Sequence, residues 1–336
     1  EAGAGAGSRY SDKDYADAGA KVVADKTEVY QCPILVKTAP PVEADLPFLQ
    51  MNQTIISPVH LSALKKELME QLMAKKITAL AFENIKDENN NYPILRSMGE
   101  IAGSAVMLIA GQYLSNFNQG KGVLLGGISG VPPTKVVIIG AGTVGEFAAR
   151  AAMGLGANVR VFDNSITKLR ALQANIGRTV YTSTMQPKNL QKALMRCDVA
   201  IGAAKGKNRA PVLVNETLVE QMKTGSVIVD VSIDMGGCFE TSEVTSHDKP
   251  TFVKHDVIHY CVPNIPARYS RTSSVSISNI FTPYLLKIAE DGGIENSLRF
   301  DKGLKNGLYF YHGVLTNKSV ADWFDLVYSD ANLLIF

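Results

Sequence analysis

Several features that mark particular classes of protein are scarce in this sequence of 336 residues. Its four cysteines, at positions 32, 197, 238 and 261, form no C-x-x-C pair and show no spacing typical of zinc ligands. Neither a metal site nor a disulfide framework is therefore predicted. The simplest expectation is a cytoplasmic protein with reduced thiols.

Charge of one sign and long apolar runs are also scarce. Lys and Arg number 34 and Asp and Glu 32, a net charge of +2, with no block that could follow a phosphate backbone. The longest apolar stretch, 101–114, is shorter than the roughly 20 residues of a membrane span and contains two glycines. Neither nucleic acid nor a membrane is expected as a partner. The residues after Glu1 include neither a basic n-region nor an apolar h-region, so no secretory signal is visible.

What is present is typical of a folded globular protein. Apolar residues make up 46% of the chain and charged residues 20%, and the length suggests about two domains. Short β-branched runs alternate with helical patterns, which indicates an α/β fold.

The first third of the chain shows weaker signals. Ser11 to Asp14 resembles a capping box for a short helix. Strands are predicted at 21–24, 34–37 and 54–57. After Pro58, leucines recur at helical spacing, which predicts a helix with His60 at its N-terminal edge. These leucines are Leu61, Leu64, Leu68 and Leu72.

The polar, turn-rich segment 87–93 is predicted to be a linker before a long helix that starts near Met98. The chain is expected to return to its first domain near Thr272, through a helix that ends around Glu290. This predicts a substrate domain of discontinuous sequence, 1–93 with 272–336, and a nucleotide-binding domain, 94–271.

A glycine-rich loop gives the clearest functional signal. A buried strand, 135–139, runs into Gly140, Gly142 and Gly145 in the order G-x-G-x-x-G, and a helix follows. The first glycine permits a tight turn, the second lets the backbone approach a pyrophosphate, and the third packs helix against strand. The motif alone is weak, because glycines also serve in ordinary turns.

The context strengthens the glycine motif. A second strand, 158–162, ends in Asp163, which lies 163 − 145 = 18 residues past the last glycine, near the position where an acid binds the ribose hydroxyls. Further strands at 199–202 and 226–231 extend a parallel sheet and place Asp234 in a loop beside the cofactor. A Rossmann-type, doubly wound parallel sheet that binds a dinucleotide is therefore predicted.

A longer run carries a more specific signal. The segment 229–242, VDVSIDMGGCFETS, is followed by 259–266, HYCVPNIP, and by Lys302-Gly303-Leu304 near the end. With Gly3-Ala4-Gly5 and Lys37 at a strand end, these residues resemble the alanine dehydrogenase family, which also contains the NAD-binding component of proton-translocating transhydrogenase. The resemblance covers nearly the whole chain.

The resemblance implies an NAD-dependent oxidative deamination of L-alanine to pyruvate and ammonium. It implies that Lys37 holds the substrate carboxyl or carbonyl, that His60 is the catalytic acid/base and that Asp234 is the catalytic aspartate. It also implies a homohexamer. Besides Asp234 and the glycines of the loop, the cofactor positions that it implies are Thr143, Val144, Asp163, Lys168, Ser232, Ile233, Asn264 and Ile265.

Two departures from the family pattern are visible. The family's opening strand, which carries an arginine that also binds the substrate carboxylate, has no counterpart before Glu1, so a weak enzyme or an incomplete record of a longer one is expected. Gly99 stands where many members have a serine near the cofactor.

Alternative interpretations remain open at this point. Taken alone, His60 would more often be a packing histidine, Lys37 a solvated charge and Asp234 a turn residue. The other histidines have neither triad nor metal spacing and are predicted to be structural or on the surface. Trp323 and 333–336 are predicted to pack within the chain, with burial at a subunit interface as the lesser possibility. Two rival functions are a transhydrogenase component and a catalytically silent NAD-binding protein.

Overall fold

The computed structural model describes residues 1–59, 65–118, 120–206 and 209–335. The chain forms two compact units: a first unit of Glu1–Ser97 with Ser270–Phe336, and a second unit of Met98–Tyr269. The predicted boundaries, 93/94 and 271/272, differ from this division by a few residues, because each junction lies in or beside a long helix.

The second unit is built on a seven-stranded sheet. Its strands are β4 (Lys135–Ile139), β5 (Asn158–Phe162), β6 (Tyr181–Ser183), β7 (Val199–Gly202), β8 (Val227–Asp230), β9 (Thr251–Lys254) and β10 (Val257–Tyr260). Their order is β6-β5-β4-β7-β8-β10-β9, and β9 alone runs antiparallel to its neighbour. The first six strands follow the Rossmann order, so the predicted doubly wound sheet is confirmed.

Alternating side chains of β4 supply the two buried faces of this sheet. Val136 and Ile138 join one core cluster, while Val137 and Ile139 join another. The first cluster contains side chains from α4 (Pro93–Leu114), α5 (Thr143–Gly154) and α6 (Ile166–Ile176). The second contains side chains from α7 (Pro187–Leu194) and α8 (Glu216–Glu220). Strands buried on both faces explain the continuous apolar runs in the sequence.

Helix α4 begins earlier than predicted, at Pro93 instead of near Met98. Proline suits the first turn of a helix, because the N–H that it lacks would have no intrahelical acceptor there. At 22 residues, α4 is long and apolar enough to cross a membrane by length and composition. Ala102, Val106 and Ile109 are nevertheless buried against the sheet, so we interpret α4 as a core helix.

The first unit has a smaller, mixed sheet. Its strands are β1 (Ile34–Val36), β2 (Thr54–Ser57), β3 (Thr78–Ala81), β11 (Leu308–Tyr311) and β12 (Val314–Leu315). Strands β1, β2 and β3 are parallel, and β11 and β12 continue the sheet in antiparallel pairs. The predicted strand at 54–57 is confirmed, and so is the one at 34–37, except that it ends at Val36. The strand predicted at 21–24 is wrong: the segment is irregular, and Asp25 caps a short helix directly after it.

The helices of the first unit are α1 (Asp12–Asp17), α2 (Lys26–Val29), α3 (Lys66–Ala74), α9 (Ser270–Glu290), α10 (Ile294–Phe300), α11 (Lys302–Asn306) and α12 (Lys318–Phe324). The capping box at Ser11 is confirmed, since its hydroxyl accepts from the Asp14 N–H. The helix that buries Leu68 and Leu72 starts only at Lys66, after an extended Lys65. It therefore does not reach back to His60, which lies, with Leu61 and Leu64, outside the described residues.

The C-terminal apolar residues pack only partly within the chain. Ile335 is buried, but Trp323 is 41% exposed and Leu333 69% exposed. The prediction of intramolecular packing is therefore wrong for Leu333 and only partly right for Trp323.

Candidate functional site

The three glycines of the loop after β4 have distinct environments. Gly140 has φ +114°, and a Cβ there would lie 2.3 Å from the Ala203 carbonyl oxygen. A Cβ on Gly145 would lie 1.9 Å from the Gly140 carbonyl oxygen, so α5 can approach the loop only with glycine there. A Cβ on Gly142 would meet no atom within 4 Å. Two glycines are thus required by packing, and the third leaves open space where the chain turns into α5.

The N-terminus of α5 faces that open space. Gly142 is its N-cap, and Thr143 and Val144, both half-buried, are its first two residues. The first N–H groups of a helix have no intrahelical acceptor and carry a partial positive charge. Open space beside such donors fits the pyrophosphate of a dinucleotide.

Asp163 follows β5 directly and holds the glycine loop. Its Oδ2 accepts from the Ala141 N–H at 2.8 Å, and its Oδ1 accepts from the Ser165 N–H at 2.7 Å. Each carboxylate oxygen has a second lone pair, so both can still accept a ribose hydroxyl. Lys168 is exposed in the first turn of α6, where its N–H donates to the Ser165 hydroxyl.

The segment after β8 carries three more of the predicted residues. Ser232 and Ile233 are buried and Asp234 is exposed, all within a 3₁₀ helix, Val231–Met235, where a loop is predicted. The Asp234 Oδ1 accepts from the Asn264 N–H at 2.9 Å. Asn264 follows β10 with φ +51°, a conformation that asparagine tolerates, and the next residue, Ile265, is buried. The structure thus joins Asp234 and Asn264.

Asp230, at the end of β8, is an organising residue that sequence reasoning missed. Its fully buried carboxylate accepts from the N–H groups of Ser232 at 3.0 Å and Cys238 at 2.8 Å, and from the Ser242 hydroxyl at 2.7 Å. These bonds fold the segment that contains Asp234. Its signal in the sequence is an aspartate at the end of a buried strand, four residues before Asp234.

The cysteines near this segment are poorly suited to reaction. Burial raises the pKa of Cys238 well above its usual value and the pKa of Cys261 to about 12. Thiolate is the reactive form, so neither group is a nucleophile at neutral pH.

In the first unit, Lys37 comes directly after β1. Its N–H continues the strand ladder to the Ile56 carbonyl oxygen at 2.9 Å, and its half-buried ammonium donates to Asp45. Asp45 is buried and also accepts from the Tyr30 hydroxyl at 2.5 Å and from the Lys26 ammonium at 3.1 Å. Burial alone would raise the pKa of Asp45, but these hydrogen bonds hold it well below its usual range.

Glu83 lies after β3 and reaches the end of the neighbouring strand. Its Oε1 accepts from the Val59 N–H at 2.6 Å, and burial raises its pKa. The contact anchors the residue that precedes His60, at the carboxyl end of the parallel strands β2 and β3. Sequence reasoning missed both Glu83 and Asp45, because neither belongs to a local motif.

The second unit gathers the predicted cofactor residues at the carboxyl ends of its parallel strands. Asp163 follows β5, the glycine loop follows β4, Ser232 and Ile233 follow β8, and Asn264 follows β10. Ligands bind at this edge of a doubly wound sheet, where the strand order reverses. Fold and site therefore define a dinucleotide-binding protein of the Rossmann class with a second α/β domain.

Comparisons with known proteins give the family. The family model "Alanine dehydrogenase/PNT, N-terminal domain" matches residues 1–102, and "Alanine dehydrogenase/PNT, C-terminal domain" matches 105–318. Alanine dehydrogenase 2 of Staphylococcus aureus (strain USA300) is 38% identical over 330 residues, 98% of this chain and 88% of that protein. The chain belongs to the alanine dehydrogenase/PNT family, which implies a nicotinamide cofactor.

Solved structures agree with this assignment. An L-alanine dehydrogenase superposes with a TM-score of 0.91 at 38% identity, covering 96% of this chain and 89% of that one. A transhydrogenase from Sinorhizobium meliloti has a TM-score of 0.78 at 21% identity, covering 95% and 89%. The second match shows the shared fold alone.

Proposed function

We propose that this protein is an NAD-dependent alanine dehydrogenase, which converts L-alanine, NAD⁺ and water reversibly to pyruvate, ammonium, NADH and a proton. The observation that carries the proposal is 38% identity to an alanine dehydrogenase over 98% of the chain. The open space at Gly142 and the strand-end position of Lys37 support it. The transhydrogenase alternative is less supported, because its structural match is only 21% identical.

A bound nicotinamide dinucleotide would supply the hydride acceptor for deamination. We assign the pyrophosphate to the open space at Gly142 and to the N–H groups of Thr143 and Val144. Asp163 would accept from the ribose hydroxyls, with Lys168 nearby on α6. The remaining cofactor positions, at the ends of β8 and β10, are Ser232, Ile233, Asn264 and Ile265.

The reaction also needs residues that bind substrate and move protons. Lys37 would hold the substrate carboxylate or carbonyl as a point charge. After hydride leaves the alanine Cα, water adds to the resulting iminium carbon, and His60 would accept the proton that this water releases. His60 would return the proton when the carbinolamine expels ammonia, while Asp234 positions the amine or water.

We further propose a cytoplasmic homo-oligomer, a hexamer by family resemblance. Free, buried thiols at Cys197, Cys238 and Cys261 suit a reducing compartment. Light scattering of the purified protein measures the number of subunits directly, and a monomer would contradict the proposal.

The function is tested by assaying NADH formation with NAD and a panel of amino acids, with alanine expected to be turned over. His60→Ala should lower kcat by roughly 10² to 10⁴, the contribution of a positioned acid/base, because proton transfer is lost. NADH binding should stay near wild type. The matched control is His255→Ala. It removes an exposed histidine of the second unit whose ring hydrogen-bonds the Glu216 carboxylate.

Two results would contradict these assignments. Wild-type turnover in the His60→Ala variant would show that the residue is structural. Absence of deamination by the wild type, together with hydride exchange to a second dinucleotide, would favour a transhydrogenase component instead.

A further inference from the structure

One buried carboxylate in the first unit binds two ammonium groups. The Asp45 Oδ1 accepts from Lys26 at 3.1 Å and from Tyr30 at 2.5 Å, while its Oδ2 accepts from Lys37 and from the Val42 N–H at 3.0 Å. Asp45 is only 2% exposed. All of these residues belong to the first unit, and we call them the Asp45 cluster.

The charges of the cluster do not cancel. Two lysines and one aspartate give a net charge of +1, because Tyr30 stays neutral: burial, helped by Asp45, raises the pKa of its hydroxyl. A Lys37–Asp45 pair alone would be neutral and would attract a carboxylate only weakly. The Lys26 ammonium restores the positive charge. Glu1, whose charge also reaches Tyr30, is exposed and therefore screened.

Aromatic rings hold Lys26 in place. Its ammonium lies 5.2 Å from the centroid of the Tyr30 ring and 5.3 Å from that of Phe48. Both distances are within the range of cation–π attraction. A carboxylate and two aromatic rings therefore fix the position of the Lys26 ammonium, and a lysine in solvent would lack these contacts.

We propose that Asp45 is a positioning residue that orients the Lys37 ammonium, and that Lys26 supplies the balancing charge that leaves this ammonium able to bind a substrate carboxylate. The proposal rests on the proposed function for the identity of the substrate. It adds two residues, Asp45 and Lys26, to the group that determines how a 2-oxo or 2-amino monocarboxylate binds.

Asp45→Asn separates positioning from simple electrostatics, because the two effects have opposite signs. Removal of a negative charge beside the substrate would by itself lower the KM for alanine and pyruvate. Asparagine keeps one neutral acceptor oxygen but replaces the other with an NH2 group, which cannot accept from Lys37, Lys26 or Tyr30. The weaker orientation of Lys37 should instead raise both KM values, by roughly tenfold for a lost charge-assisted hydrogen bond. Asp45→Glu keeps a carboxylate and should recover part of the loss.

Lys26→Met tests the balancing charge. It should raise both KM values by roughly fivefold and leave kcat within about twofold, because a distant charge changes binding and not the chemical step. Lys21→Met is the matched control: it removes the same charge from an exposed pair with Glu28, and its KM should be that of the wild type. Asp45→Glu, which keeps the charge but moves the carboxylate by one methylene, replaces Asp45→Asn if that variant does not fold, and it should still raise both KM values above those of the wild type.

The results distinguish the possible errors. The positioning role would be overturned if the wild type is active and the folded Asp45→Asn variant, or Asp45→Glu in its place, has an unchanged or lowered KM. A Lys26→Met variant that matches Lys21→Met would overturn the charge-balancing role. A wild type that deaminates no amino acid would overturn the proposed function itself, and this inference with it.

Discussion

At the scale of the residue, two buried aspartates organise the segments that carry candidate catalytic groups. Asp45 binds Lys37, and Asp230 folds the segment that contains Asp234. Burial of a carboxylate is costly unless donors surround it, and both side chains accept several hydrogen bonds. Satisfied buried networks of this kind are rigid, so we expect them to hold the catalytic side chains in one geometry.

Asp163 should determine the choice of cofactor. Its carboxylate can accept from both ribose hydroxyls but would repel a 2′-phosphate. We predict a higher kcat/KM for NAD than for NADP. In Asp163→Asn, the ratio of kcat/KM with NAD to kcat/KM with NADP should fall roughly tenfold, because a repulsion of the 2′-phosphate by about 1 kcal/mol or more is removed. Asp248→Asn, an exposed aspartate of the same unit, serves as the control. Equal kcat/KM for the two cofactors in the wild type would contradict the prediction.

His259 should make the free energy of unfolding depend on pH. The ring is fully buried, stacks on Phe252 at 4.8 Å and bonds the Thr241 hydroxyl at 2.8 Å. Burial lowers its pKa to about 4 from a usual value of 6.5. As pH falls below 6.5, the unfolded chain binds the proton first, so stability present at pH 7 is lost toward pH 4.

The full loss is on the order of 3 kcal/mol, from a pKa difference of about two units or more. Denaturant unfolding at several pH values measures it, and His259→Gln should have a flatter profile between pH 6.5 and 5. Glu83, whose pKa is raised, acts with the opposite sign, so the informative quantity is the difference between wild type and variant. Parallel profiles would show that His259 does not cause the effect.

At the scale of the element, α4 and α5 approach closely through glycine. A Cβ on Gly103 would lie 2.5 Å from the Val144 carbonyl oxygen, a distance shorter than these two atoms can adopt without a shift of the backbone. One turn earlier, a Cβ on Gly99 would lie 3.4 Å from the Thr143 Cβ, an ordinary van der Waals distance. The same substitution should therefore have different effects at the two positions.

Gly99→Ser should strengthen NADH binding by roughly threefold to tenfold, because it adds a hydroxyl beside the first turn of α5 without a clash. Gly103→Ser should instead lower the free energy of unfolding by about 1 to 3 kcal/mol through overpacking. Gly99→Ala, which adds only a methyl group, is the control for affinity. Fluorescence titration and denaturant unfolding measure the two effects, and equal affinity of Gly99→Ser and Gly99→Ala would argue against the hydroxyl contact.

At the scale of the whole molecule, the second unit is continuous in sequence and the first is not. The second unit has buried clusters on both faces of its sheet, as an independently folding domain requires. The first unit needs β11 and β12, which come from the far end of the chain, to complete its sheet.

The fragment 93–269, which begins with α4, should therefore fold and bind NADH without the rest of the chain. It should not deaminate alanine, because it lacks Lys37 and His60. Circular dichroism and NADH fluorescence test these expectations on the fragment and the full chain in parallel. An unfolded fragment would show that the second unit depends on the first, and turnover by the fragment would remove both residues from the mechanism.

Local signals in the sequence predicted much of the second unit. The bounds of β4, β5 and β7 are those predicted, because strands buried on both faces are continuous apolar runs ended by glycine or aspartate. The signals for strands and helices were weaker in the first unit. Two adjacent valines in 21–24 suggested a strand, but Asp25 caps a helix directly after this segment and the segment itself is irregular. The start of α4 was missed because proline suits a first turn as well as a linker.

The sequence by itself determined the dinucleotide loop, its acidic partner Asp163 and the family, since each depends on residues close together in the chain or on a long matching run. Only the tertiary structure decided that Asp45 binds both Lys26 and Lys37, that Asp230 folds the segment of Asp234, and that Glu83 holds Val59. The physical reason is that a buried carboxylate takes its donors from whichever elements the fold brings within hydrogen-bonding distance. That distance depends on packing and leaves no periodic or motif-like pattern in the sequence.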